Sequence, residues 1–424
     1  MVSRRRLLSS FVASAALAAC QGRTTSAAPL RYATAQSVMD SFVAERKVAG
    51  AVASISKNGG AEQYLHAGLL AFDAGACDPD SIYRIYSMTK PVTGIAAMQL
   101  IERGQLRLDQ PIADIIPEFG AMRVATNVET METRPAQAQI LVRHLLTHTG
   151  GLSYSINGNA GMPLLYRQHG ITPVGPSRTP VQPGEQALPA TLDEFATRLA
   201  TLPLAAEPGT RWEYSVSLDL MGLIIQRVSG TPFAEYLQQN IFDPLGMDST
   251  GFSVPASAAS RLTTNYRVGS DGALIVLDDR ANSAFANYAG MPCGGAGLAS
   301  TTRDYSKFAH MLLNDGALGR ARILRRETAE LARSNLAPAG VFMEPGVGFG
   351  AAMSVALEDK PGAPRGAFGW AGAAGTLFWV DPSNRAYSVM MTQYLFGRYS
   401  MRDQFRLAVY QDWAGRGTKP GKDD

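Results

Sequence analysis

The stretch Arg84-Ile85-Tyr86-Ser87-Met88-Thr89-Lys90-Pro91 sets a hydroxyl and an amine three residues apart. From Thr93 onward Ile95, Ala96, Met98, Leu100 and Ile101 recur at three- and four-residue steps, which predicts a helix ending near Gly104. Ser87 then stands at or near the helix start, where residues i and i+3 share a face and the Lys90 amine can reach the Ser87 hydroxyl. Pro91 suits such a first turn. Free backbone N–H groups at a helix N-terminus favour developing negative charge. Hydroxyl, nearby base and oxyanion donors are the parts of an activated nucleophile. The bland alternative is a serine at a helix start with a solvated lysine nearby.

The spacing alone does not decide, because it occurs twice. Ser54-Ile55-Ser56-Lys57 is also Ser-x-x-Lys, but it runs into Asn58-Gly59-Gly60, a hairpin turn signal. On a strand, residues i and i+3 point to opposite faces, so Lys57 cannot serve Ser54.

The elements that must position Ser87 follow from the rest of the chain. Its 424 residues are 46% hydrophobic and 18% charged, a composition that permits two structural subunits with large cores. A helix is predicted around 34–47 and a hairpin from strands 49–57 and 61–69. Residues 140–152 hold Leu145-Leu146-Thr147-His148-Thr149-Gly150-Gly151-Leu152, a helix running into a glycine turn. Residues 153–190 are rich in Gly, Pro, Asn and Ser and read as a long loop, the kind that rims functional sites. Helices are predicted over about 191–201 and 217–228, the latter closed by Gly230, with Thr231 and Pro232 as N-cap and first-turn residue of the next. Gly294-Gly295-Ala296-Gly297 breaks the chain before a helix starting near Thr302. Strands at about 346–357, 375–380 and 386–393 follow, with Asp381-Pro382-Ser383-Asn384 as a type I turn, then a helix over 401–414. Strands at both ends and helices between predict an α+β fold: one sheet built from both ends of the chain, with a mainly helical region inserted.

The first 19 residues read as an export signal: Arg4-Arg5-Arg6 resembles a twin-arginine header, and an apolar run too short to span a bilayer follows. Leu17-Ala18-Ala19-Cys20 resembles a lipobox, which would leave Cys20 lipidated. A plain signal peptide is the alternative. The expectation is an exported protein, periplasmic or a lipoprotein of the outer membrane, touching membrane only through Cys20, with a tether over 20–33 and a tail over 416–424. Three of the 39 basic residues lie in that signal, leaving 36 against 36 acidic ones, so nothing supports nucleic-acid binding. Cys77 and Cys293 are either a disulfide or two buried thiols. Neither these nor the five histidines form a metal signature, and no cofactor is expected.

Taken together, these motifs resemble the serine hydrolases of the penicillin-binding-protein and class C β-lactamase superfamily, and within it the family VIII carboxylesterases. The resemblance spans about 34–415. Its carriers are Ser87-Met88-Thr89-Lys90, Leu146 to Leu152, Pro208-Gly209-Thr210 with Tyr214-Ser215, Pro244-Leu245-Gly246-Met247, and Gly369-Trp370-Ala371-Gly372-Ala373-Ala374-Gly375-Thr376. It implies a β-lactamase/transpeptidase-like fold, with the α/β part at about 34–95 and 290–415 and the helical part at about 96–289.

It also implies roles. Ser87 is the nucleophile, and Lys90 and Tyr214 share the proton work, the order between them left open. The backbone N–H groups of Ser87 and Ala373 form the oxyanion hole. Val216, Trp370 and Gly372 line the substrate site. Ser155-Ile156-Asn157 is a rival to Tyr214, having the S-x-N form of some penicillin-binding proteins. His148 is a structural turn residue. Two departures bear on substrate: Val216 replaces the asparagine of Y-x-N, and Trp370 replaces the lysine of K-T-G, with Arg365 or another arginine as the alternative source of a cation. The expected function is hydrolysis of short-chain esters. The alternatives are a β-lactamase or D-amino-acid peptidase, or a non-catalytic penicillin-recognising lipoprotein. A Ser-His-Asp hydrolase would need a G-x-S-x-G elbow, and no serine here has that setting.

Overall fold

The computed structural model describes residues 31–127, 131–172, 176, 181–395 and 400–415. The export segment, Cys20, most of the 20–33 tether and the 416–424 tail lie outside them.

A seven-stranded antiparallel sheet runs in the order Val347–Phe349, Ser354–Ala356, Phe368–Ala371, Leu377–Asp381, Ala386–Thr392, Gly50–Ser56, Gln63–Gly68. The two ends of the chain meet where Gly50–Ser56 pairs with Ala386–Thr392, Ala51 opposite Thr392. Every residue of Gly50–Ser56 is buried, because both sheet faces are covered. Period-two alternation sorts its side chains. Ala51, Ala53 and Ile55 join Met39 and Phe42 of the helix Ala33–Ala44 and Phe405 and Val409 of the helix Met401–Ala414. Val52 faces the larger core, with Phe308 of the helix Thr302–Leu313 and the helices of the middle of the chain. At the hairpin tip Asn58 and Gly59 both take positive φ and Gly60 N–H donates to Lys57 O at 3.0 Å, the primed turn that the Asn-Gly pair specifies.

The helix Thr89–Glu102 is the hub. Every residue from Thr89 to Leu100 is buried, so it has no solvent face. Gly94 permits this: a Cβ there would stand 2.4 Å from Ala351 O.

Several boundaries differ from expectation. The strand expected over 346–357 is a hairpin of two short strands, turned at Ala352, a non-glycine residue at φ 61 that leaves no sequence cue. Phe368–Ala371 is a further strand, outside the three expected at the end of the chain. Thr231 is not the cap of the next helix: Pro232 occupies that position and the helix is Phe233–Leu237. The 153–190 stretch contains a helix, Met162–Gln168, with Met162 and Tyr166 buried. Cys77 and Cys293 are both free and buried, so the disulfide alternative is excluded.

Candidate active site

Ser87 sits where a strand becomes the hub helix. The strand Ile82–Arg84 pairs with Ala299–Thr301, and Ile85 N–H donates to Leu298 O at 3.0 Å. Leu298 N–H in turn donates to Thr89 Oγ1 at 3.1 Å, so both sides of the turn are tied to one segment. Between them Tyr86 takes φ 43, an uncommon conformation for a bulky residue and of the kind found where a turn aims a functional group. Asn265 Nδ2 donates to the Tyr86 hydroxyl at 2.8 Å and holds that turn. Ser87 is left partly exposed at the mouth of a buried helix.

Lys90 lies one turn on and is fully buried. Its Nζ donates to Gly295 O at 2.8 Å, to Tyr154 Oη at 3.2 Å and to Ser87 Oγ at 3.4 Å. The Tyr214 hydroxyl is closer, 2.6 Å from Ser87 Oγ. Lys90 Nζ stands 4.5 Å from the centroid of the Tyr214 ring. Ser87, Lys90 and Tyr214 thus converge.

Tyr214 is delivered by an extended segment laid along the His148 turn. Ala205 N–H donates to Gly151 O at 2.7 Å, Gly209 to Thr149 O at 2.7 Å, Glu213 to His148 O at 2.9 Å and Val216 to Ser153 O at 3.2 Å. Gly151 is required: φ is 77 and a Cβ would meet Ala206 O at 2.1 Å. The Tyr214 ring is then packed by His148 at 4.9 Å, Tyr154 at 5.2 Å, Trp370 at 5.8 Å and Trp212 at 6.0 Å between centroids. His148 Nδ1 pairs with Ser215 Oγ at 3.0 Å, and burial, helped by the Lys90 charge, pushes its pKa well below the usual histidine range. It is a neutral part of the wall, with its bonding turned to Ser215.

The turn after Phe368–Ala371 closes over the same corner. A Cβ on Gly372 would stand 2.3 Å from Ile85 O and 2.1 Å from Thr376 Oγ1, so this backbone lies directly on the Ser87 entry. Ala373 is exposed, and its N–H meets no backbone acceptor among the described residues. Trp370 is half-buried against Phe349, 5.1 Å away, and the Tyr214 ring.

Two expectations need correction. Val216 is completely buried in the core, so it offers no surface to a substrate. Arg365 is exposed on a turn where its own N–H bonds Asp359, and the arginine that stands at the turn after Trp370 is Arg402, whose Nη1 donates to Gly372 O at 3.3 Å. The rival Ser155-Ile156-Asn157 does not take the place of Tyr214: Ile156 is exposed and Asn157 Nδ2 donates to Tyr214 O at 2.9 Å, steadying the tyrosine from behind. The residue just before it, Tyr154, is the one that reaches Lys90.

Sequence reasoning missed Tyr154, Asp219, Cys293 and Gly295, which form the floor beneath Lys90. Asp219 Oδ1 accepts from Cys293 Sγ at 2.7 Å and from Gly295 N–H at 2.8 Å. One signal for it existed: a carboxylate in the otherwise apolar run Leu218-Asp219-Leu220-Met221. A cavity of about 510 Å³ between 119–123 and 135–140 contains none of these side chains; chemistry rather than volume marks the site.

The Beta-lactamase family model matches residues 35–411. The chain belongs to the Beta-lactamase family. Esterase EstB of Burkholderia gladioli is 31% identical over 81% of this chain and 86% of its own. Lovastatin esterase of Penicillium rubens is 30% identical over 79% and 86%. Among solved structures, EstCE1, described as a hydrolase with promiscuous acyltransferase activity, superposes with a TM-score of 0.73 at 25% identity, covering 90% of this chain and 98% of its own. The fold is β-lactamase/transpeptidase-like, and the chain is a hydrolase of the family.

Proposed function

We propose that the protein cleaves short-chain carboxylic esters through an acyl-enzyme on Ser87. The observation that carries this is Ser87 Oγ held 2.6 Å from the Tyr214 hydroxyl and 3.4 Å from Lys90 Nζ. Ser87 Oγ attacks the ester carbon and its proton passes to the Tyr214–Lys90 pair. The carbonyl oxygen becomes an oxyanion, received by the Ser87 and Ala373 N–H groups. Collapse expels the alkoxide, which takes the proton back and leaves as alcohol. Water then enters, gives a proton to the same pair as its oxygen bonds the acyl carbon, and collapse breaks the bond to Ser87 Oγ, which takes that proton back as the acid leaves. Another alcohol in place of water would make the second half an acyl transfer.

The choice of ester over β-lactam rests on Trp370. At the K-T-G position it offers an indole and no cation for a β-lactam carboxylate, and a flat apolar surface beside Tyr214 for an acyl or alcohol chain. An ester also has a better leaving group than an amide. The names of EstB and lovastatin esterase support the same reading. The test compares kcat/KM for p-nitrophenyl butyrate, nitrocefin and a D-alanyl-D-alanine peptide. The ester should lead by at least roughly 10²-fold, the loss typical of an unpaired polar group at a site. Equal turnover of nitrocefin or peptide would overturn the ester reading.

A further inference from the structure

The Ala373 N–H shares a peptide unit with the Gly372 carbonyl, and that carbonyl is held from outside its own turn. Residues 372–375 fold tightly: Gly372 N–H donates to Thr376 O at 2.8 Å and Gly375 N–H to Gly372 O at 3.2 Å. Tyr394 N–H donates to Ala374 O at 3.0 Å. Gly372 O has a second donor, Arg402 Nη1 at 3.3 Å, from 30 positions further on. Arg402 is in the first turn of the helix Met401–Ala414, which buried Met401 and Phe405 anchor in the core beside Leu377 and Tyr394.

We propose that Arg402 is a positioning residue for the oxyanion hole: by holding Gly372 O it aims the Ala373 N–H at the ester carbonyl oxygen and strengthens it as a donor. This rests on the acyl-enzyme reading above and adds a residue to it.

Three observations lead there. First, a trans peptide is planar, and its C=O and N–H point in opposite directions. A bond that fixes Gly372 O therefore fixes the Ala373 N–H. A carbonyl that accepts a hydrogen bond also polarises the N–H across the unit, and a guanidinium does so more than a neutral donor.

Second, little else steadies this peptide. Close approach to Ile85 O and Thr376 Oγ1 forbids a side chain at 372, so the position keeps the backbone freedom of glycine. The turn's own bond to Gly372 O, at 3.2 Å, lies at the long end of the N–H···O range.

Third, the helix itself gives no reason for an arginine at 402. A cation in a first turn opposes the helix dipole, and Arg406 places a like charge one turn on. No Asp or Glu among the described residues forms an ion pair with Arg402. Its printed bond is the one to the turn.

The test compares p-nitrophenyl butyrate with its thiono analogue, in which sulfur replaces the carbonyl oxygen. Sulfur accepts hydrogen bonds weakly, so a working oxyanion hole favours the oxygen ester, and a weakened donor shrinks that preference. Arg402→Met should lower kcat by roughly 10–10²-fold, less than the loss of a whole donor, and shrink the preference, with KM and melting temperature little changed. Arg402→Lys, which keeps a cationic donor, should recover part of both kcat and preference. Wild-type kcat in Arg402→Met overturns the proposal. So does a kcat loss with the preference unmoved, the mark of a merely structural role, or a raised KM alone, the mark of a substrate-binding arginine. Should Arg402→Met not fold, Arg402→Lys must exceed Arg402→Gln in kcat and preference, and equal values overturn the proposal. Ser87→Ala is run alongside: turnover that survives there sinks the acyl-enzyme reading, whereas its loss there with Arg402→Met at the wild-type rate sinks this proposal alone.

Discussion

Two Ser-x-x-Lys quartets in one chain met opposite fates. Ser54 lies mid-strand and hydrogen-bonds Ser306 on the helix Thr302–Leu313, while Lys57, beyond the strand end, stands 5.2 Å from the Trp413 ring on the helix Met401–Ala414. Those helices cover opposite faces of the sheet, so the strand's period of two parts hydroxyl from amine. Ser87 and Lys90 lie on a helical turn, 3.4 Å apart, with the Tyr214 hydroxyl 2.6 Å from the same serine. The residue types are the same. Backbone periodicity decides whether they meet, and a third residue from 127 positions away makes a site of the pair that does.

The sharpest way to break this comparison is to delete each serine. Ser87→Ala should lower ester kcat by roughly 10⁴–10⁶-fold, the range seen for removing a serine nucleophile. Ser54→Ala should keep turnover and cost only about 1 kcal/mol, because Ser306 still donates to Thr302 O at 2.7 Å. Lys90 and Tyr214 come next: Lys90→Ala and Tyr214→Phe should each lose roughly 10²–10⁴-fold in kcat, whereas Lys57→Ala should turn over as the wild type does. Near-normal rates in Tyr214→Phe would return that ring to a packing role.

A backbone effect should be similar or smaller. Gly372→Ala puts a methyl against Ile85 O and should displace the Ala373 N–H, with a loss of roughly 10²–10³-fold in kcat and little change in KM.

The smallest effect is on stability against pH. His148 is held below its usual range by burial and His144 is lowered to about 4 for the same reason. The unfolded chain therefore binds protons that the folded one refuses. Stability is full above about pH 6.5 and is lost as pH falls from there toward 4. His148→Gln should flatten the melting-temperature slope across that window; an unchanged slope would mean that His148 is protonated in the fold.

How much was legible depends on the range of the signal. Ser87 and Lys90 are three apart and carry their geometry in the helical pattern that follows. Tyr214 was legible only as part of a run, since its placement depends on four backbone bonds to the 148–153 turn. Tyr154 and Gly295 gave no local pattern, and Asp219 only a carboxylate in an apolar run: they come from three separate segments and meet only in the fold. Val216 shows the reverse error. Its place next to the Tyr214-Ser215 pair suggested a substrate contact, but it begins the helix Ser217–Ser229 and points into the core. The sheet was read from both ends, yet Phe368–Ala371 was missed because glycine and alanine there serve close backbone approach rather than a β-branched pattern.

The central claim is that Ser87, and no other hydroxyl, carries the acyl group. The direct measurement is peptide mapping by mass spectrometry after a fluorophosphonate or a slowly deacylating ester, on wild type, Ser87→Ala and Ser54→Ala. The account predicts one adduct, on the peptide containing Ser87, lost in Ser87→Ala and kept in Ser54→Ala. An adduct that persists in Ser87→Ala would contradict it.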